Sequence, residues 1–107
     1  MLVVGINSDE SVRRLKGDKR PIVSLENRIL MLEAIDVVDY IVPFSSDTPY
    51  EIIKSLIPSV LVKGSDYKNK TIAGEDIVHD HGGVTELIDM KESISTTALI
   101  KKIYECK

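Results

Sequence analysis

The stretch Leu2-Val3-Val4-Gly5-Ile6-Asn7-Ser8-Asp9 decides the fold class. Five residues without a charge stop abruptly in Asn-Ser-Asp, which is turn chemistry. A run this short, apolar throughout and closed by turn residues, predicts a strand covered on both faces, as in parallel α/β sheets. Three more runs repeat the pattern: Tyr40-Ile41-Val42, Val60-Leu61-Val62 and Val84-Thr85-Glu86-Leu87-Ile88. The last alternates in a way that suits an edge strand. Helical segments are expected between them. Ser24 caps a run whose apolar positions Leu25, Ile29, Leu32 and Ile35 recur every three or four residues. Thr48 then reads as an N-cap with Pro49 at the first helical position. Ile52, Ile53, Leu56 and Ile57 form the buried stripe of that helix, and Pro58 stops it. A helix over roughly 74–81 ends at Gly82-Gly83, where glycine can take the left-handed conformation. The last helix begins near Ser95, with Leu99, Ile100 and Ile103 on one face. Strand followed by helix, repeated, predicts a Rossmann-like parallel sheet with helices on both faces.

At 107 residues, the chain has room for a single domain over 1–107, with no linker or repeat. Its 43% hydrophobic and 29% charged residues exclude intrinsic disorder. The net charge of -3, from 14 basic against 17 acidic residues, argues against duplex nucleic acid as a partner. No apolar run is long enough for a membrane span, and no signal peptide is expected. One cysteine, Cys106, cannot close an intrachain disulfide, which fits a reducing cytoplasm. With no paired base in sequence, Cys106 is not expected to be a catalytic thiol. His79 and His81, two residues apart, would point to different sides of a helix, so no metal site is expected there. Met31 and Met90 read as core filler.

Ligands of doubly wound sheets bind beyond the carboxyl ends of the strands, so the residues that follow each apolar run are the candidates. After the first run, Arg13, Arg14, Lys16, Lys19 and Arg20 place five cations within eight positions. A solvated helix end explains such a run, and so does a cationic loop that neutralises a polyphosphate. After the third run comes Lys63-Gly64-Ser65-Asp66-Tyr67. Its glycine permits close backbone approach, Lys63 can reach a phosphate, and Asp66 can accept from a ribose or an amine. The same residues also make an ordinary turn. Ser95-Thr96-Thr97 opens the last helix with three hydroxyls, where a cap alone needs one.

Taken together, Val4 to Gly17, Arg20-Pro21, Val62 to Tyr67 and Ser95 to Ile100 resemble the nucleotidyltransferase domain of the ADP-heptose synthase family. That family lies within the cytidylyltransferase-like superfamily. The similarity runs from about Leu2 to Ile103, with the segments in matching order and spacing. The resemblance implies a transferase that moves AMP from ATP, with Mg2+, onto a sugar 1-phosphate and releases pyrophosphate, in lipopolysaccharide biosynthesis. It also implies the site residues. Asn7, Ser8 and Asp9 match the segment near the acceptor pocket, and Arg28 matches the superfamily arginine on the following helix. Lys16 matches the catalytic loop lysine near the phosphates. Lys63, Gly64 and Asp66 match the nucleotide-binding stretch, and Ser95, Thr96 and Thr97 match the hydroxyl-rich helix start that holds the triphosphate. The family usually carries glycine where Ser93 stands.

The family also begins with a strand and a His-x-Gly-His motif, which donates to phosphate oxygens as charge builds during transfer. No His-x-Gly-His occurs in these 107 residues. The expectation is therefore a chain shortened at its N-terminus relative to the family, with strongly impaired catalysis. The alternative is a non-catalytic nucleotide-binding or assembly module. In the family the first strand is central, in the order 3-2-1-4-5, so without it the sheet should fall into two halves. Either the strands on either side pair with each other, or a second copy closes the gap, which makes a homo-oligomer the expected state.

Overall fold

The computed structural model describes residues 1–65, 70–89 and 95–106. Asp66, Tyr67, Met90 and Ser93 lie outside the described residues. The element order is β1 (Val3–Asn7), α1 (Asp9–Lys16), α2 (Leu25–Glu33), β2 (Tyr40–Phe44), α3 (Tyr50–Leu56), β3 (Val60–Gly64), α4 (Glu75–Asp80), β4 (Val84–Ile88) and α5 (Thr96–Glu105). All four predicted strands are present, in an α/β arrangement whose strand pairs are parallel.

The strands form two separate two-stranded sheets. β1 pairs with β2 from Val3↔Tyr40 to Asn7↔Phe44, and β3 pairs with β4 from Val60↔Val84 to Gly64↔Ile88. β1 and β3 are not hydrogen-bonded to each other, so the two inner strands do not close on one another. Each sheet is built from strands contiguous in sequence and joined by helix, as a parallel crossover requires. The radius of gyration is 15.2 Å, against ~13 Å for a compact chain of this length.

Two of the expected helix starts are made as read. Ser24 Oγ accepts from Asn27 N at 3.3 Å and Ser95 Oγ from Ala98 N at 3.0 Å. Gly82, just past α4, has φ +82°, the left-handed conformation expected of it. The start of α3 differs: Pro49, not Thr48, is the cap, and no side chain caps it. Thr48 instead offers its carbonyl to Ser46 Oγ at 2.7 Å, a local turn that takes the place of the cap.

The core is smaller than the apolar pattern predicts. Among the described residues the buried apolar ones are Ile53, Leu61, Ile72 and Val78. Of the predicted α3 stripe only Ile53 is buried, while Leu56 and Ile57 are exposed. Ile35 lies past the end of α2, and it, Leu99, Ile103 and Met31 are also exposed, so Met31 does not fill a core. The expectation of strands covered on both faces is not met in the second sheet. Val60, Val62, Val84 and Ile88 are all exposed because neither sheet is wide enough to bury its faces.

Candidate functional site

The carboxyl ends of β1 and β2 are tied together by polar side chains. Ser8 caps α1, its Oγ accepting from Ser11 N at 3.2 Å, while Ser8 N donates to Phe44 O at 2.8 Å. Asn7 Nδ2 donates to Ser11 Oγ at 2.8 Å, and that hydroxyl donates to Ser46 O at 3.0 Å. Ser11 is fully buried and fully hydrogen-bonded, so it fixes the geometry of both strand ends. Asp9 reaches the other way. Its Oδ1 accepts from Leu25 N and from Arg28 Nη2, each at 2.8 Å, which docks the start of α2 against the end of β1. Arg28 Nε donates to Val23 O at 3.1 Å. Asn7, Ser8, Asp9 and Arg28 therefore sit at one end of the first sheet. The Asp9–Arg28 pair is oriented before any ligand arrives.

The basic stretch divides. Arg14 is engaged by Glu10 and Asp47, each at 3.1 Å, and by Ser45 O, so it stitches α1 to the loop after β2. Together with Arg13 and Lys16 it also lies in the last turn of α1, where cations complement the helix dipole. Lys16 is exposed there, and no hydrogen bond joins it to the Asn7–Arg28 group among the described residues. Gly17, at φ +101°, turns the chain out of α1, and Arg20 N donates back to Gly17 O at 3.1 Å. Arg20 Nη2 then donates to Thr97 Oγ1 at 3.0 Å, across 77 positions. This bond carries the loop after α1 onto the first turn of α5.

Lys63 and Gly64 close β3, half-buried and in register with Leu87 and Ile88. Their partner in the sequence reading, Asp66, lies outside the described residues. At α5, Ser95 alone serves as cap, and its backbone oxygen accepts from Leu99 N. Thr96 and Thr97 are first-turn residues whose hydroxyls the cap does not need. Their N–H groups stand where a helix has no carbonyl to give them.

The sequence pointed to Arg20 only as one cation of the basic run and as part of the Arg20-Pro21 segment of the resemblance, and it gave no sign of Ser11, Ser46 or Asp47 as contacts. The i,i+4 spacing of Glu10 and Arg14 is a signal for one of the Arg14 contacts. Nothing in sequence announces a partner 33 or 77 residues away. His79 and His81 lie exposed on and beside α4, His79 Nε2 3.1 Å from Thr85 Oγ1 and His81 Nδ1 2.9 Å from Ile77 O. A depression lined by Met1, Asp39 and Tyr40 lies at the opposite ends of β1 and β2 from these candidates. Among the described residues, no helix is long and apolar enough to cross a membrane.

The cytidylyltransferase-like family model matches residues 1–102. The bifunctional protein HldE of Syntrophotalea carbinolica is 48% identical over 105 residues, covering 98% of this chain and 21% of that protein. The proteins of the same name from Helicobacter pylori and Wolinella succinogenes are 50% and 51% identical over 103 and 102 residues, covering 96% and 95% of this chain and 21% of each relative. The chain thus spans about a fifth of the length of the curated relatives it matches. The ordered polar ends of the parallel strands, the hydroxyl-rich start of α5 and a family match over nearly the whole sequence agree: this chain belongs to the cytidylyltransferase-like family.

Proposed function

We propose that the chain works in nucleotidyl transfer, moving AMP from MgATP to a sugar 1-phosphate, with heptose 1-phosphate the acceptor that the resemblance favours. A phosphate oxygen of the acceptor attacks the α-phosphorus of ATP. The bond from that phosphorus to the bridging oxygen breaks, and pyrophosphate leaves with the electron pair. The protein's task in such a step is positioning and charge stabilisation. Asn7, Ser8, Asp9 and Arg28 serve the acceptor side, and Lys63, Gly64 and Asp66 hold the nucleoside end. Lys16 and the first turn of α5, with Ser95, Thr96 and Thr97, serve the phosphates.

Among the described residues there is no group of three or more His, Cys, Asp or Glu able to hold a metal ion. Mg2+ would enter with the substrate, carried on the phosphates of ATP. The observation that carries the proposal is the bond from Arg20 of the basic stretch to the Thr97 hydroxyl in the first turn of α5, in a chain of this family.

The alternative reading is a nucleotide-binding or assembly module without chemistry. Calorimetry with MgATP and CTP, alongside a pyrophosphate-release assay with a sugar 1-phosphate, separates the two. Binding with release supports transfer, and binding without release supports the module. No binding of either nucleotide ends both. Self-association belongs to the same proposal, since β1 and β3 each keep an edge that the other does not cover. Light scattering over a wide dilution series checks it, and a monomer at every concentration removes it.

A further inference from the structure

We propose that Arg20 is a positioning residue for the nucleotide's phosphates, acting through the hydroxyl of Thr97. This rests on the nucleotide-binding reading above and deepens it by giving Arg20 a specific part. Arg20 Nη2 donates to Thr97 Oγ1 at 3.0 Å. A hydroxyl has one hydrogen and two lone pairs, and a guanidinium can only donate. Thr97 therefore accepts from Arg20, and its own hydrogen remains to donate elsewhere. An incoming guanidinium hydrogen bond also polarises the hydroxyl and strengthens it as a donor. The loop fixes Arg20 for this purpose through the Arg20 N to Gly17 O bond at 3.1 Å.

The electrostatics of the pair point to an anion. Arg20 stands at the N-terminus of the ten-residue α5, the positive end of its dipole, where a cation is disfavoured and an anion is welcome. Arg20 forms no ion pair with a carboxylate among the described residues. Arg14 and Arg28, by contrast, are both neutralised by aspartates. A polyphosphate oxygen placed against Thr97 would take the hydroxyl hydrogen and the open first-turn N–H groups. It would also turn the repulsion between guanidinium and helix end into attraction for both. Because Arg20 belongs to the first half and Thr97 to the second, phosphate binding would tighten a link between the two strand pairs.

The test is calorimetry on the 107-residue chain with three probes: MgATP, inorganic triphosphate and adenosine. The variants are Arg20→Gln, Arg20→Lys, Thr97→Val, Thr97→Ser and the double variant Arg20→Gln with Thr97→Val. Arg20→Gln and Thr97→Val should each weaken triphosphate and MgATP about tenfold, the scale of one charge-assisted hydrogen bond. The double variant should lose little more than the worse single one, since residues that act as a unit are not additive. Thr97→Ser should bind like wild type, Arg20→Lys should fall between wild type and Arg20→Gln, and adenosine affinity should not change. Without ligand, Arg20→Gln should melt no lower than wild type, because it removes a misplaced charge. Unchanged triphosphate affinity in Arg20→Gln, fully additive losses, or equal losses for adenosine would each overturn the inference while leaving nucleotide binding in place. A wild-type chain that takes neither MgATP nor triphosphate overturns the underlying reading as well.

Discussion

The two halves of the molecule are held by different forces. The β1–β2 half is secured at its strand ends by hydrogen bonds and ion pairs: Asn7 to Ser11 to Ser46, Asp9 to Leu25 and Arg28, and Arg14 to Glu10 and Asp47. Among the described residues its one buried side chain between Val3 and Phe44 is Ser11. The β3–β4 half, with α3 laid against α4, contains every buried apolar residue among the described residues: Ile53, Leu61, Ile72 and Val78. Its packing is close. A Cβ at Gly74 would come within 2.7 Å of Ile53, and one at Gly83 within 2.7 Å of Val78 and 2.8 Å of Ser59 O. Directional bonds set positions precisely but contribute modest net stability, whereas burial contributes more and positions less. The first half is thus set by directional bonds and the second by burial.

If this division is right, the largest single loss comes from the apolar half. Ile53→Ala, at a side chain 5% exposed, should cost about 3 kcal/mol in urea unfolding. A loss below that of any polar variant would break the comparison. In the other half, Asp9→Ala removes the acceptor shared by Leu25 N and Arg28. It should cost about 2 kcal/mol. Combining it with Arg28→Ala should add little, because the second change removes a charge already without its partner. A strictly additive result would show that the pair does not act as a unit.

Smaller effects sharpen the contrast at the helix starts. Ser24→Ala should cost about 1 kcal/mol by leaving Asn27 N without its acceptor, and Ser24→Gly somewhat less. Hydrogen exchange should show the loss of protection confined to the amides of α2. Smallest of all is Arg14→Gln. Its side chain is 42% exposed and its partners Glu10 and Asp47 more so, so the change should cost about 0.5 kcal/mol in low salt and fade as salt is added. A loss that persists at high salt would show that the Arg14 contacts reach beyond surface electrostatics.

Local chemistry was legible in the sequence, and long-range partnership was not. The four strands, the Ser24 and Ser95 caps and the glycine turn after α4 are each set by neighbours within a few residues. The apolar stripes were read as buried because periodicity marks a face without stating what covers it. Leu56, Leu99 and Ile103 have the right spacing but too little sheet to rest on. Thr48 before Pro49 has the composition of a cap, yet its turn with Ser46 leaves that role to the proline. In the candidate site, the resemblance selected Asp9 and Arg28 but did not show that they bond to each other. It included both Arg20 and Thr97 without showing that they bond, a contact that depends on a loop folding back across 77 positions.

Each strand pair closes within its own contiguous stretch of chain, Val3 to Phe44 and Val60 to Ile88. The loop to be closed before either pair forms is correspondingly short, and neither waits on the other. Such a chain should open in two cooperative units. Under native-state hydrogen exchange the amides of β3 and β4 would be protected by a larger free energy than those of β1 and β2. Any agent that bridges the two units would bring their exchange rates toward a common value.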